Sequence, residues 1–91
     1  MRYIWNQRKA AQNKRDHGVN FAEAREAFED FNALIEPDEA HSWDERRYRM
    51  IAASSRRLLF IIYTAPDEET IRLISAREVE PYERSRYYEE S

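Results

Sequence analysis

The sequence predicts an α+β fold, with two N-terminal helices packed on an antiparallel β-meander and a C-terminal helix closing the chain. Three observations predict it. Phe21, Ala24, Phe28 and Phe31 recur at helical spacing and give one apolar face. From about residue 33 the apolar period shifts to that of strands. Leu58 to Tyr63 is a nearly continuous apolar run of strand length, as expected for a central strand covered on both faces.

The elements follow in order. Tyr3-Ile4-Trp5 is short, β-prone and apolar, a first strand or edge segment. Asn6 is a good N-cap for a first helix through Arg15, and Gly18 stops that helix by taking the left-handed conformation. Asn20 caps a second helix, with Glu23 three residues on as in a capping box. Glu26, Glu29 and Asp30 fall off its apolar face and are expected to meet water or a partner. Ala33-Leu34-Ile35 is a short strand ending near Pro37, and residues 38–44 read as a polar loop. Residues 46–53 alternate, with Tyr48, Met50 and Ala52 on one side and Arg47, Arg49 and Ile51 on the other. Ser54-Ser55-Arg56 turns into the central strand. Pro66-Asp67-Glu68-Glu69 is a second turn, Ile71 to Ala76 another strand, and Pro81 opens a charged last helix, Tyr82 to Glu90. No linker, repeat or low-complexity tract interrupts the chain, so residues 1–91 read as one domain.

With 91 residues the core is modest, and a permanent partner adds stability that such a domain needs. There is no cysteine, so disulfides and thiolate metal sites are excluded. The longest apolar run falls far short of a membrane helix, and Met1 to Trp5 lacks the apolar core of a signal peptide. These features suit a cytoplasmic protein with no membrane partner.

The net charge of -3 speaks against nucleic-acid binding, but its distribution is uneven. Arg2, Arg8, Lys9, Lys14 and Arg15 crowd the start. Acidic residues crowd positions 21–45, and Arg46, Arg47, Arg49, Arg56 and Arg57 follow without an acid among them. A basic face suits RNA phosphate and an acidic face suits a basic partner, while mixed charge also simply keeps a small domain soluble.

Three stretches then carry a family resemblance. Lys9-Ala10, Asn13 and His17-Gly18-Val19, with Phe21, Glu23 and Ala24, form the first. His41-Ser42 with Glu45, Arg46, Arg47 and Tyr48 forms the second. Ile71 to Arg77, followed by Glu83 and Tyr87, forms the third. In this order they resemble the BrnT family of toxins. Asn6, Asp16 and the glycine-free hairpin Ala52 to Arg57 depart from the family pattern. The resemblance implies a RelE-like fold and a type II toxin that cleaves RNA without a metal or other cofactor. It implies a BrnA-type antitoxin with a ribbon-helix-helix domain, a hetero-oligomer with it, and DNA contact only through that partner.

Such cleavage needs a base for the ribose 2′-OH, an acid for the leaving oxygen and cations for the charge growing on phosphate. Arg72, Arg77 and Arg47 are the candidate cations, because a guanidinium fork matches phosphate oxygens. Strict alternation puts Arg72 and Arg77 on opposite faces, so a bulge or the strand end must re-aim Arg77. The competing reading pairs these arginines with Glu45, Glu78 or Glu83. Glu45 is a candidate base only if burial raises its pKa. Lys9, His17 and Trp43 are candidate RNA contacts. His17 equally suits a helix C-terminus, and Lys9 equally covers the core with its stem. Trp43 is the best exposed aromatic for stacking, whereas Trp5 and Tyr63 read as core. His41 lies in the polar loop, and with His17 distant in sequence no metal-ligand spacing appears. Gly18 is the only glycine, so no glycine-rich loop cradles a nucleotide. A second reading makes the chain a catalytically weak binding module that holds its antitoxin and tunes operator repression, with the acid-rich second helix as its basis. Direct DNA binding lacks a helix-turn-helix signature.

Overall fold

The computed structural model describes residues 1–90. Strand β1 spans Arg2–Ile4, helix α1 Gln7–His17 and helix α2 Phe21–Glu26, which tightens into a 3₁₀ turn at Ala27–Glu29. Strands β2 (Leu34–Pro37), β3 (Arg46–Ala53), β4 (Leu58–Asp67) and β5 (Thr70–Glu78) follow, and helix α3 spans Pro81–Glu90. The sheet order is β1-β5-β4-β3-β2. Strands β2 to β5 form the antiparallel meander, with β4 central. Strand β1 pairs with β5 in parallel, so the sheet is mixed rather than purely antiparallel. The two N-terminal helices and the other three strands separate these two strands in sequence, so no tight turn dictates an antiparallel pairing.

Both N-terminal helices lie against β5. Their side of the sheet holds the main core, with Val19, Phe21, Ala24, Met50, Leu59, Ile61 and Leu73 among its buried members. Phe28 packs between Tyr3 and Tyr63 in edge-to-face contacts at 5.2 and 5.0 Å. Trp5 meets Phe21 in the same way at 5.9 Å. Phe31 departs from the expected apolar face: α2 ends before it and the ring is fully exposed. On the other side of the sheet, Tyr87 of α3 packs with Ile51 and Leu58.

The caps behave as their residue types dictate. Asn6 accepts from the Lys9 amide at 3.0 Å, and Gly18 adopts φ 71° just past α1. Asn20 accepts from the Glu23 amide at 2.8 Å. Glu23 does not close the capping box. Its carboxylate turns inward instead, taking two hydrogen bonds from Arg57 at 2.9 and 2.8 Å and one from Ser54 at 2.8 Å.

Asp30 also turns inward rather than toward water or a partner, whereas Glu26 stays exposed as expected while it bonds to the hairpin. Glu26 accepts from the Ser55 amide, and Asp30 accepts from the Ala53 amide and from the Tyr87 hydroxyl at 2.6 Å. The acidic segment is therefore largely a clamp on the β3–β4 hairpin. This removes part of the basis for an acidic docking face, although Glu26 and Glu29 stay exposed. The second turn is tighter than expected, because β4 runs through Asp67 and only Glu68 and Glu69 lie between the strands.

Strand β5 carries one extra residue. Ile62 pairs with Ser75, yet Tyr63 pairs with Leu73, so Ile74 is a bulge. Leu73 and Ala76 consequently both face the main core although they are three residues apart. The same phase shift puts Arg72 and Arg77 on one face, the side away from α1 and α2.

Candidate functional site

The loop before β3 is shaped by its own short polar side chains. The Ser42 hydroxyl donates to the Asp38 carbonyl at 2.7 Å and accepts from the Arg47 amide at 2.9 Å. The Asp38 amide donates to the Arg47 carbonyl at 2.7 Å. A 3₁₀ turn at Glu39–His41 sits inside this frame. The Trp43 indole N–H donates to the Ala40 carbonyl at 3.1 Å, which fixes a ring that is 87% exposed.

Beside the loop, three side chains form a row across three strands. Arg47 of β3 pairs with Thr64 of β4, and Thr64 pairs with Arg72 of β5. Neighbouring strands lie about 4.8 Å apart, so the two arginines bracket Thr64 at about 10 Å. Glu45 reaches over the row, accepting from the Thr64 hydroxyl at 2.7 Å and from Arg72 Nη1. The Thr64 hydroxyl, then the Arg72 guanidinium, hold the Glu45 carboxyl below the usual carboxylate range. Glu45 is thus shifted away from the raised pKa that a general base at neutral pH requires. Arg47 Nε lies 3.7 Å from Asp38 Oδ2, buried and without a hydrogen-bond partner among the described residues.

Asp38 also takes His41. The imidazole Nδ1 lies 3.1 and 3.0 Å from the two Asp38 carboxylate oxygens. His41, Trp43, Glu45, Arg47 and Thr64 line one cleft of about 340 Å³. Sequence reasoning set His41 aside because it weighed the residue only as a metal ligand. The signal that finds it is the Asp38-x-x-His41 spacing, which a single 3₁₀ turn brings face to face.

The other expected site residues divide. Lys9 lies beside Arg72 on its opposite flank, where Trp5, Asn6, Lys9 and Ile74 line a second cleft of about 380 Å³. Arg72 lines this second cleft and reaches the first through its bond to Glu45. His17 is exposed at the C-terminal end of α1, about 12 Å along the helix from Lys9, and does not join the cleft. Arg77 shares the face of Arg72 but is committed elsewhere. It donates to both oxygens of Glu83 at 2.9 Å and lies over the Phe60 ring at 4.4 Å. Burial pushes the Glu83 carboxyl up, but Arg77 and the Glu80 amide outweigh it and the net shift is downward. Glu83 also caps its own helix, because the Glu80 amide donates to it at 2.8 Å.

Among the described residues, no group of three or more histidines and carboxylates is arranged to hold a metal ion. No helix there is long and apolar enough to cross a membrane.

Fold and site together define a small α+β domain that carries, on one face of a mixed five-stranded sheet, a cleft lined by a histidine, an arginine and carboxylates. Residues 5–83 match the family described as the ribonuclease toxin, BrnT, of type II toxin-antitoxin systems. The chain belongs to this family. The crystal structure of the Brucella abortus ribonuclease toxin BrnT superposes with a TM-score of 0.70 at 24% identity, covering 88% of this chain and 97% of that one. That likeness supports the fold. A sequence search of curated proteins finds no match to this chain.

Proposed function

We propose that this chain, working as a single toxin domain over residues 1–91, is a metal-independent endoribonuclease with a RelE-like fold that arrests growth in the cytoplasm. The observation that carries this reading is the Arg47–Thr64–Arg72 row, read with the family membership. Two guanidiniums on one sheet face, 33% and 40% exposed, suit the phosphate of an RNA strand. Their charge opposes the negative charge that develops on phosphate during 2′-OH attack. Glu45 positions Arg72 rather than acting as the base. Trp43 offers a base-stacking surface, Lys9 extends the positive track past Arg72, and His17 contributes at its far end. Arg77 supports the site indirectly by anchoring α3 through Glu83.

The restraining partner is a BrnA-type antitoxin with a ribbon-helix-helix domain, in a hetero-oligomer that meets DNA only through that partner. Occupying the arginine row with carboxylates or apolar groups is the direct route to inhibition. The test is induced expression of the chain with and without its antitoxin, alongside incubation of purified protein with RNA in EDTA. Growth arrest, RNA cleavage in EDTA and rescue by the antitoxin are expected. Cleavage only after adding a divalent metal overturns the mechanism. A protein that is inert on RNA and harmless in cells overturns the enzyme reading in favour of a binding module.

A further inference from the structure

We infer that His41, oriented by Asp38, is the general base that takes the 2′-OH proton in this cleft. The inference rests on the ribonuclease reading and deepens it.

The geometry assigns the tautomer. A carboxylate only accepts, and both Asp38 oxygens lie at hydrogen-bond distance from Nδ1, so Nδ1 carries the proton. In the neutral ring Nε2 then presents its lone pair. The His41 side chain is 64% exposed while that of Asp38 is 12% exposed. The orienting group is thus sheltered and the reacting nitrogen is within reach of a bound strand. A histidine held by a carboxylate at one nitrogen and open at the other is the arrangement general-base catalysis uses.

The charged groups around the ring fit that role. Asp38 faces it from the start of its own turn, and Arg47 faces it from β3 while sharing the Asp38 carboxylate. Glu45 and Asp44 line the same cleft, and Glu45 carries Arg72 at its other end. The base therefore shares its cleft with Arg47, and Glu45 links that cleft to Arg72. Glu45 is unsuited to the task because its Oε1 already takes Thr64 and Arg72.

An oxygen lone pair of the ribose 2′-OH forms a bond to phosphorus, and its proton passes to His41 Nε2. The bond from phosphorus to the 5′ oxygen breaks, and its electron pair leaves with that oxygen. The 5′ oxygen takes a proton from water. The products are a 2′,3′-cyclic phosphate and a 5′-hydroxyl end, and the imidazolium returns its proton to solvent.

The experiment is single-turnover cleavage of a short labelled RNA from pH 5 to 9 by the intact protein and by His41→Ala, His41→Gln, Asp38→Asn and Arg72→Ala. Thermal melts of each variant run alongside. Wild-type rate should fall toward acidic pH, because a protonated imidazole cannot accept the 2′-OH proton. Loss of a positioned base costs about 10²-fold or more, and both His41 variants should lose that rate and the acidic limb together. Asp38→Asn should slow cleavage at least about tenfold by releasing the ring orientation. In an NMR titration, the His41 ring signals should move when an uncleavable 2′-deoxy oligonucleotide is added. If wild type cuts RNA and His41→Ala keeps both rate and pH profile, His41 is not the base, while the ribonuclease reading stands. Unmoved His41 signals in the presence of bound oligonucleotide also overturn the inference. A wild type that cuts no RNA overturns the ribonuclease reading and this inference with it.

Discussion

The side-chain amide of Asn13 grips both backbone groups of Ala76, 63 residues further along the chain. Its Nδ2 donates to the Ala76 carbonyl at 2.8 Å, and its Oδ1 accepts from the Ala76 amide at 3.1 Å. Nδ2 donates also to the Val19 carbonyl at 2.9 Å. Strand β1 covers β5 only from Thr70 to Arg72, so beyond that point β5 is a sheet edge. Asn13 acts there as a one-residue strand, satisfying buried backbone groups that water does not reach. It also ties α1 to β5 just past the Ile74 bulge.

Asn13→Asp is the most discriminating substitution at this point. The carboxylate still accepts from the Ala76 amide but faces two carbonyl oxygens without a proton to give. An unsatisfied buried group costs about 1–3 kcal/mol, more when charged, so a loss of about 3 kcal/mol is expected. For a domain of this size that lowers Tm by more than roughly 10 °C. A melt within about 3 °C of wild type would show that water or backbone movement replaces the amide.

Asn13 also shows how much was legible in the sequence. The spacing from Asn13 to Gly18 marked the resemblance and the helix end, but not the distant strand the amide serves. The alternation of β3 and the burial of β4 were readable because β3 keeps one period along its length and β4 is apolar without a break from Leu58 to Tyr63. In the sequence a bulge in β5 is only a condition for Arg72 and Arg77 to share a site, and its place was not legible, because one extra residue leaves no signature in Leu73-Ile74-Ser75-Ala76. The acids of residues 23–30 were visible as charge, but their partners are hairpin amides and Arg57, which only the fold brings near. Arg47, Arg72, Glu45 and Trp43 were candidates by residue type; the register of three strands brings the two arginines together, and the loop before β3 supplies Glu45 and Trp43. His17 was drawn in by the same reasoning and stands outside the cleft.

Glu23 and Arg57 form the largest charge contact in the hairpin clamp. The Glu23 side chain is 5% exposed and that of Arg57 is 22% exposed. Removing one member leaves the other charge buried, which costs about 3–5 kcal/mol. Arg57→Ala should therefore destabilise more than Arg56→Ala, whose guanidinium lies 4.0 Å from Glu23 with 69% of its side chain exposed. Chemical denaturation distinguishes them. Equal midpoints for the two variants would mean that Ser54 and the backbone hold the hairpin without Arg57.

Stability should fall at both ends of the pH scale for named reasons. The Arg57 guanidinium above all holds the Glu23 carboxyl below its ordinary value. Burial pushes Asp30 up, but the Tyr87 hydroxyl and the Ala53 and Asn32 amides outweigh it, leaving Asp30 lowered. A depressed folded pKa contributes stability that is complete above the unfolded carboxylate range, about pH 4, and lost as pH falls through the folded values. At the other end, burial and then the Asp30 hydrogen bond push the Tyr87 hydroxyl up to about 12. Burial likewise raises Tyr63 to about 12. Their contribution is complete below the unfolded value of about 10 and is lost as pH rises through about 12. Tyr87→Phe should flatten part of the alkaline loss. An unchanged alkaline transition in that variant would move its cause elsewhere.

Arg72 and Arg77 share a strand and a face, yet they should fail in different ways. The Arg72–Glu45 pair is open to solvent, with side chains 40% and 27% exposed, so its worth to stability is about 0–1 kcal/mol. Its cation is aimed at the cleft, and losing a charge that meets the transition state costs about 2.7–4 kcal/mol in the barrier. Arg72→Ala should therefore melt near wild type and cut RNA at least about a hundredfold more slowly. Arg77 instead balances Glu83, whose side chain is only 3% exposed. Arg77→Ala strands that carboxylate and should cost about 3–5 kcal/mol of stability. Its activity at low temperature, where the protein stays folded, should remain close to wild type. Adding Glu83→Gln to Arg77→Ala removes the stranded charge and should return part of the lost stability. Melts and cleavage rates on the three variants decide the matter. If Arg77→Ala stays stable but loses cleavage, Arg77 reaches the phosphate itself, and its contact with Glu83 gives way when RNA binds.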